Sequence, residues 1–389
     1  MGIFKNLKDI KLHTFFNVIK WKLLYQSKTK KTWPAENQLI DDNLVPLQCV
    51  TKGLHVSYVG HVTFLIQING FNILTDPMWS ERASPFSWIG PKRIKSPGVK
   101  MENLPPIDII IISHNHYDHL DIPTLIKLHK LFKPKIIVPI GNAKVIKKHI
   151  KDADVIELNW YENVSLKSKN NNIDVNDDLD IVEIASDDRM LSVPNLETSS
   201  NLDSGIENNN MLTDDKDKNI NFIKEYTDIN SDSKHIKKDI NIYLEPAQHW
   251  SARTLWDKNH ALWGTFIIES ELDGIKRQIC FIGDSGYDSD MFKSIGDKYP
   301  KIFLSLIPIG AYLPRFFMQD VHMDPHEAVL AFKDLKSEYA IGSHYDVFPL
   351  ADDSYGQALD DLSTSLQKLN IDEAKFLTLE VGQRKIWST

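Results

Sequence analysis

Ordered alternation begins at residue 54, where short β-branched and aromatic runs at 54–59, 62–68 and 71–74 are separated by Gly60 and by Asn69-Gly70. Runs of this length with turn residues between them predict an antiparallel meander. The largely apolar run Ile107-Asp108-Ile109-Ile110-Ile111-Ile112 then reads as a buried strand. Helices are predicted at about 122–132 and 142–152, alternating with strands near 135–139 and 154–158. Further strands are expected at 240–244, 262–269, 275–283 and 302–309, with a helix over about 325–338 and a last strand ending at Ile341-Gly342-Ser343-His344. A meander followed by β and α alternation predicts an α/β (α+β) domain.

Two stretches break the pattern. Residues 1–32 carry eight lysines against the single acid Asp9, interleaved with Phe4, Leu7, Phe15, Phe16, Ile19 and Trp21. A basic segment with such apolar content suits an anionic membrane surface, and it equally suits a helix packed on its own domain with lysines outward. Residues 167–239 hold twelve Asn, with seventeen acidic against nine basic residues and only Phe222 and Tyr226 as aromatics. So little apolar area does not offset the entropy of ordering, so this stretch reads as a largely disordered insertion. Its net charge equals the −8 of the whole chain, which leaves the remainder near neutral. The expected organisation is therefore a basic N-terminal segment over 1–50 and one domain over 51–389, interrupted at 167–239.

With two cysteines, Cys49 and Cys280, the chain has no disulfide framework and no CxxC metal site, so a cytoplasmic protein is expected. No apolar run is long enough to span a membrane, and no cleavage site follows the start. Met1-Gly2 resembles an acylation signal, but Asn6 stands where Ser or Thr is required. Nothing in the sequence calls for a nucleic-acid partner. The oligomeric state is left open, a homodimer among the options.

The candidate chemistry is concentrated in Ser113-His114-Asn115-His116-Tyr117-Asp118-His119, directly after the buried apolar run. Imidazole and carboxylate donors at a strand end suit Zn²⁺, and three His with one Asp within six residues are hard to explain as a solvated turn. His249, Asp284 and His344 each follow a later β run, and glycines flank the Asp284 turn at Gly283 and Gly286. Seven donors at one sheet edge exceed what one tetrahedral ion needs, which predicts two. Asp76, in Thr75-Asp76-Pro77, can orient a metal-bound His or serve only as turn chemistry.

The H-x-H-x-D-H run, a distant His, a Gly-Asp-Ser-Gly aspartate and a final His together resemble the metallo-β-lactamase superfamily. More narrowly, Leu74-Thr75-Asp76-Pro77, Gly90-Pro91-Lys92-Arg93, Gln248-His249-Trp250, Leu262-Trp263-Gly264 and Gly283-Asp284-Ser285-Gly286-Tyr287 resemble the N-acylphosphatidylethanolamine-hydrolysing phospholipases D. The resemblance covers about 54–166 and 240–380. It implies a four-layer αββα sandwich with two Zn²⁺, one held by His114, His116 and His249, the other by Asp118, His119 and His344, with Asp284 bridging. It also implies cleavage of a phospholipid phosphodiester by water activated between the metals. Asp118 and Asp284 then take part in catalysis, and His322 stabilises or protonates a substrate oxygen. Val321 departs from the Gln common before that histidine. The alternatives are a lactonase or other hydrolase of a soluble substrate, and a non-catalytic protein with structural zinc. Trp79, Phe86, Trp88 and 312–318, beside Arg82, Lys92, Arg93 and Arg315, are expected to receive an anionic lipid.

Overall fold

A computed structural model describes residues 3–10, 33–34, 44–168, 179–186, 239–272 and 274–388. Seven strands form the first sheet: β1 (Leu54–Gly60), β2 (Thr63–Ile68), β3 (Phe71–Thr75), β4 (Ile109–Ile111), β5 (Lys135–Pro139), β6 (Val155–Leu158) and β15 (Arg384–Trp387), in the order β15-β1-β2-β3-β4-β5-β6. The second sheet contains β7 (Glu162–Ser168), β8 (Leu179–Ser186), β9 (Asp239–Glu245), β10 (Thr265–Leu272), β11 (Ile275–Phe281), β12 (Ile302–Pro308), β13 (Tyr339–Ser343) and β14 (Phe376–Leu377). Its order is β14-β13-β12-β11-β10-β9-β7-β8. The described helices are α1 (Ile122–Phe132), α2 (Ala143–Lys147), α3 (Ser289–Lys298), α4 (Arg315–Met318), α5 (Pro325–Asp334) and α6 (Gln357–Lys368).

The period of two along each strand divides the apolar residues between two layers. Phe64, Ile66, Ile73, Ile109, Ile111 and Ile137 enter the core shared with Phe266, Ile268 and Ile279 of the second sheet. Their neighbours Leu65, Leu74, Ile110, Ile136 and Val138 point the other way, onto Leu125 and Leu128 of α1 and Ile146 of α2. The shared core continues to Phe292 of α3, Phe332 of α5 and Leu362 of α6. Helix, sheet, sheet, helix is the αββα sandwich, and a strand buried on both faces explains why 109–112 is unbroken isoleucine. Local signals start the helices: Asp324 and Glu327 form a capping box with Pro325 next, and Asp288 caps α3.

The predicted elements over 107–112, 142–152 and 325–338 are shorter than expected, and that over 262–269 is displaced to β10. Leu262-Trp263-Gly264 is bent, with the Trp263 indole donating to the Ala247 carbonyl at 2.8 Å and the Gly264 N–H to the Ser113 carbonyl at 3.1 Å. Strands β7 and β15 and helices α3 and α6 were not anticipated.

The expectation of an unstructured insertion over 167–239 needs correction at its edges. Lys167 and Ser168 end β7, Asp239 opens β9, and 179–186 is an edge strand antiparallel to β7. Ladder hydrogen bonds override composition there, because β7 presents a ready edge. The rest of that stretch lies outside the described residues, as does most of 1–50. No described helix is long and apolar enough to cross a membrane. Neither cysteine forms a disulfide, and burial pushes the Cys280 thiol up to about 12, so it is inert.

Candidate metal centre

β4 ends at Ile111, and the chain turns out through residues 113–119 before α1. The His116 carbonyl accepts from the N–H groups of His119 and Leu120 at 3.1 and 2.9 Å, closing a tight turn. Arg253 braces both ends of it, donating to the carbonyls of Asn115 and Leu120 at 2.9 Å each. His249 follows β9, Asp284 follows β11 and His344 follows β13, so all reach the same edge. At Gly283, φ is 68° and a Cβ would lie 2.4 Å from that of Ser113; glycine is what lets Asp284 approach the histidine turn.

All seven expected donors converge, in two groups with Asp284 between them. His114 Nε2 and His249 Nε2 lie 2.9 and 3.3 Å from His116 Nδ1. Asp118 Oδ2 lies 3.3 Å from His119 Nε2 and 3.4 Å from His344 Nε2. Asp284 Oδ2 is 3.1 Å from His119 Nε2, 3.8 Å from His249 Nε2 and 3.9 Å from His114 Nε2, while its Oδ1 is 3.3 Å from His344 Nε2. Donors about 2 Å from a tetrahedral ion lie about 3.3 Å apart, so both groups have metal-ligand spacing. His119 Nε2, His344 Nε2 and Asp284 Oδ1 are buried without hydrogen-bond partners. Such atoms are costly unless a cation satisfies them, so the residues fit a metal.

The far side of the rings fixes which nitrogen is offered. Asp76 accepts from the backbone N–H and hydroxyl of Ser113 at 2.7 and 2.6 Å and holds His119 Nδ1 at 2.6 Å, leaving Nε2 for a metal. The orienting role of Asp76 is thus the one realised. His249 Nδ1 donates to the Val321 carbonyl at 2.9 Å. The polar contact at position 321 comes from the backbone, so the Val there costs this contact nothing.

Sequence reasoning missed His61. Its Nε2 is 3.0 Å from Asp118 Oδ2, its ring is 4.2 Å from that of His344, and its carbonyl accepts the His344 N–H at 2.8 Å. The available signal is a histidine in the turn between β1 and β2, where Asn or Gly is usual. His61, Asp76 and His344 have φ of 60°, 33° and 64°, a concentration of backbone strain at the site.

Burial drives His249 and His61 down to about 3 and His116 to about 4, and places His114 well below the usual range, so these imidazoles are neutral donors. Burial opposes ionisation of Asp118 and Asp284, but His119 and His344 outweigh it and hold both carboxyls well below normal. Conversely, the carboxylates overcome burial to raise His119, and His344 to about 9. His322 lies with its Nδ1 3.9 Å from Asp284 Oδ2, between the rings of His249 and His344, and burial lowers it to about 3.

The expected anion-receiving cations are mostly engaged elsewhere. Arg82 donates to the carbonyls of Ser87 and Gly90, Arg93 is buried against those of Met78, Ser80 and Lys95, and Arg315 pairs with Glu327. Each satisfies internal acceptors in its own loop or cap. Trp79 also turns inward, donating to Val99, whereas Phe86, Trp88 and Phe316 remain exposed.

A beta-lactamase superfamily domain matches residues 71–186 and 175–345. The chain is 30% identical, over 94% of its length and 86% of the relative's, to N-acyl-phosphatidylethanolamine-hydrolyzing phospholipase D 1 of Caenorhabditis elegans. It is 26% identical to the mitochondrial N-acyl-phosphatidylethanolamine-hydrolyzing phospholipase D of Saccharomyces cerevisiae, over 83% of this chain and 58% of that one. Among solved structures, an isothiocyanate hydrolase from Delia radicum gut bacteria superposes with a TM-score of 0.54 at 15% identity, over 86% of this chain and 100% of that one. The chain belongs to the metallo-β-lactamase superfamily of metal-dependent hydrolases and, within it, is similar to the N-acylphosphatidylethanolamine-hydrolysing phospholipases D.

Proposed function

We propose that the protein is a two-zinc phosphodiesterase of the phospholipase D type, cleaving N-acylphosphatidylethanolamine to N-acylethanolamine and phosphatidic acid. The observation that carries the reading is Asp284, whose two oxygens face both donor groups, in a chain that aligns with a phospholipase of this specificity over nearly its full length. His114, His116 and His249 would hold one ion, Asp118, His119 and His344 the other, and Asp284 would touch both. Bound there, zinc supplies a lowered pKa for water and polarises a phosphoryl oxygen.

The chain's own residues supply the rest. Asp118, held ionised by His119, His344 and His61, is the carboxylate placed to take a proton from the attacking water. Neutral His322 donates a hydrogen bond to a substrate oxygen; a group with a pKa of about 3 is a poor source of a full proton at neutral pH. The new bond joins the water oxygen to phosphorus, the bond from phosphorus to the ethanolamine oxygen breaks, and that oxygen leaves with a proton. With ¹⁸O-labelled water the label is expected in phosphatidic acid. Label in the N-acylethanolamine means attack at carbon and overturns the mechanism.

One observation favours a second reading, hydrolysis of a small soluble substrate such as a lactone. Arg82, Arg93 and Arg315 are spent on internal acceptors, and the half-exposed Lys92 stands 4.0 Å from the Glu81 carboxylate. Fast lactone opening without lipid turnover would decide for it.

A further inference from the structure

One contact to the metal-centre histidines comes from far away in the chain. Past β9, Gln248 pairs its backbone with Gly286, while the buried His249 has no strand partner for its own N–H and carbonyl. One side chain takes both. Asn6 Oδ1 accepts from the His249 N–H at 3.0 Å, and Asn6 Nδ2 donates to the His249 carbonyl at 2.8 Å.

Contacts on either side fix the segment that carries Asn6. The Phe4 N–H donates to the Asn259 carbonyl at 2.8 Å and its side chain packs on the main core. Lys8 reaches Asp288 and Asp290 at 2.8 and 2.9 Å. Asn259 itself closes the 251–259 loop, its N–H donating to the Ser251 carbonyl and its Oδ1 accepting the Ser251 N–H. Phe4 and Asn6 therefore grip both ends of the loop that starts at His249.

We propose that residues 3–8 are a strap and that Asn6 is a positioning residue, holding the His249 backbone so that its ring completes the pocket formed with His114 and His116. The bond from His249 Nδ1 to Val321 sets the ring's rotation but leaves the main chain able to shift. Without Asn6, two buried backbone groups lose their partners, and the segment relieves this by moving, which carries the ring off its pocket. Asp118, His119 and His344 stand on other elements and stay in place. The inference rests on the two-metal reading above.

The test is Zn²⁺ retention by the full-length holoprotein against a graded competing chelator, with ions counted per chain. Asn6→Ala is expected to weaken one of two ions about 10- to 100-fold, the range for outer contacts to ligands, and to leave the other unchanged. Asn6→Asp keeps the acceptor for the N–H and loses the donor to the carbonyl, so it should fall between. Lys336→Ala removes an exposed ion pair with Asp297, outside the strap, and should match wild type. If Asn6→Ala holds both ions as tightly as wild type, or loses both equally, the proposal is overturned. Should that variant fail to fold, Asn6→Asp decides by the same criterion. A wild-type chain that binds one ion or none overturns the two-metal reading itself, a result visible before any variant is made.

Discussion

At the scale of the residue, Asp284 is the group that faces both halves of the candidate centre. Its oxygens lie 3.1 Å from His119 and 3.3 Å from His344, within 4 Å of His114 and His249, and it is buried. Asp284→Ala is therefore expected to lose most bound metal and at least about 100-fold in turnover together, by analogy with the loss of a metal contact. Wild-type metal content in that variant, measured by elemental analysis, would remove Asp284 from the centre. The histidines on the other side carry a pH signature when metal is stripped. His344 is raised to about 9 by Asp284 and Asp118, and burial alone would have lowered it. A folded-state pKa above the unfolded value of about 6.5 gives stability that is complete below that pH and lost as pH rises through the folded value. Calorimetry on chelator-treated protein should thus show Tm falling between pH ~6.5 and ~9. A flat profile over that window contradicts the charge arrangement. The convergence of the seven donors was legible because His and Asp crowded at strand ends are an unusual pattern. His61 was not, because a lone histidine in a turn has no such company until folding brings it against Asp118.

At the scale of the element, the second sheet is expected to tolerate a large cut. Leu166 of β7 and Ile240 of β9 are register partners, so replacing 167–239 by an Asn-Gly turn closes an ordinary hairpin. What is lost with the described part is β8, an edge strand whose Ile181, Val182 and Ile184 are exposed and which buries Leu179 alone. The shortened protein is expected to be soluble and to keep its full metal content, since shortening a surface connection costs little. Loss of metal binding on deletion would make the stretch part of the fold. If metal stays and lipid turnover drops, the segment acts on substrate. The strand β8 escaped sequence reading because its short apolar stretch, Ile181-Val182 and Ile184, sits within an Asn- and Asp-rich tract, and the edge of β7 is what pairs with it.

At the scale of the whole molecule, the N-terminal segment has two expected duties that must be tested separately. Residues 3–8 reach the metal centre, so truncation at residue 33 removes Asn6 together with the lysines and confounds the two. Replacing Lys20, Lys22, Lys28, Lys30 and Lys31 by Gln leaves the strap intact. If this segment contacts an anionic surface, each removed lysine weakens vesicle binding by about 1 kcal/mol at low salt, and less as salt rises. Turnover of a detergent-dispersed substrate should be unchanged. Vesicle affinity equal to wild type assigns these lysines to the solvated face of a helix packed on the domain.

Several features of this protein follow from the sequence alone, because they rest on local chemistry or on strict period. These are the meander, the buried strand before His114, the helix that starts near 325, and the donors placed after strands. The tertiary structure decided what depends on residues distant in the chain. It chose the orienting role for Asp76, brought His61 to Asp118 across 57 positions and Asn6 to His249 across 243. It also engaged Arg82 and Arg93 with loop carbonyls and Arg315 with a carboxylate. A side chain's type limits what it can bind, but which unsatisfied partner lies within 3 Å is set only once the two sheets have packed.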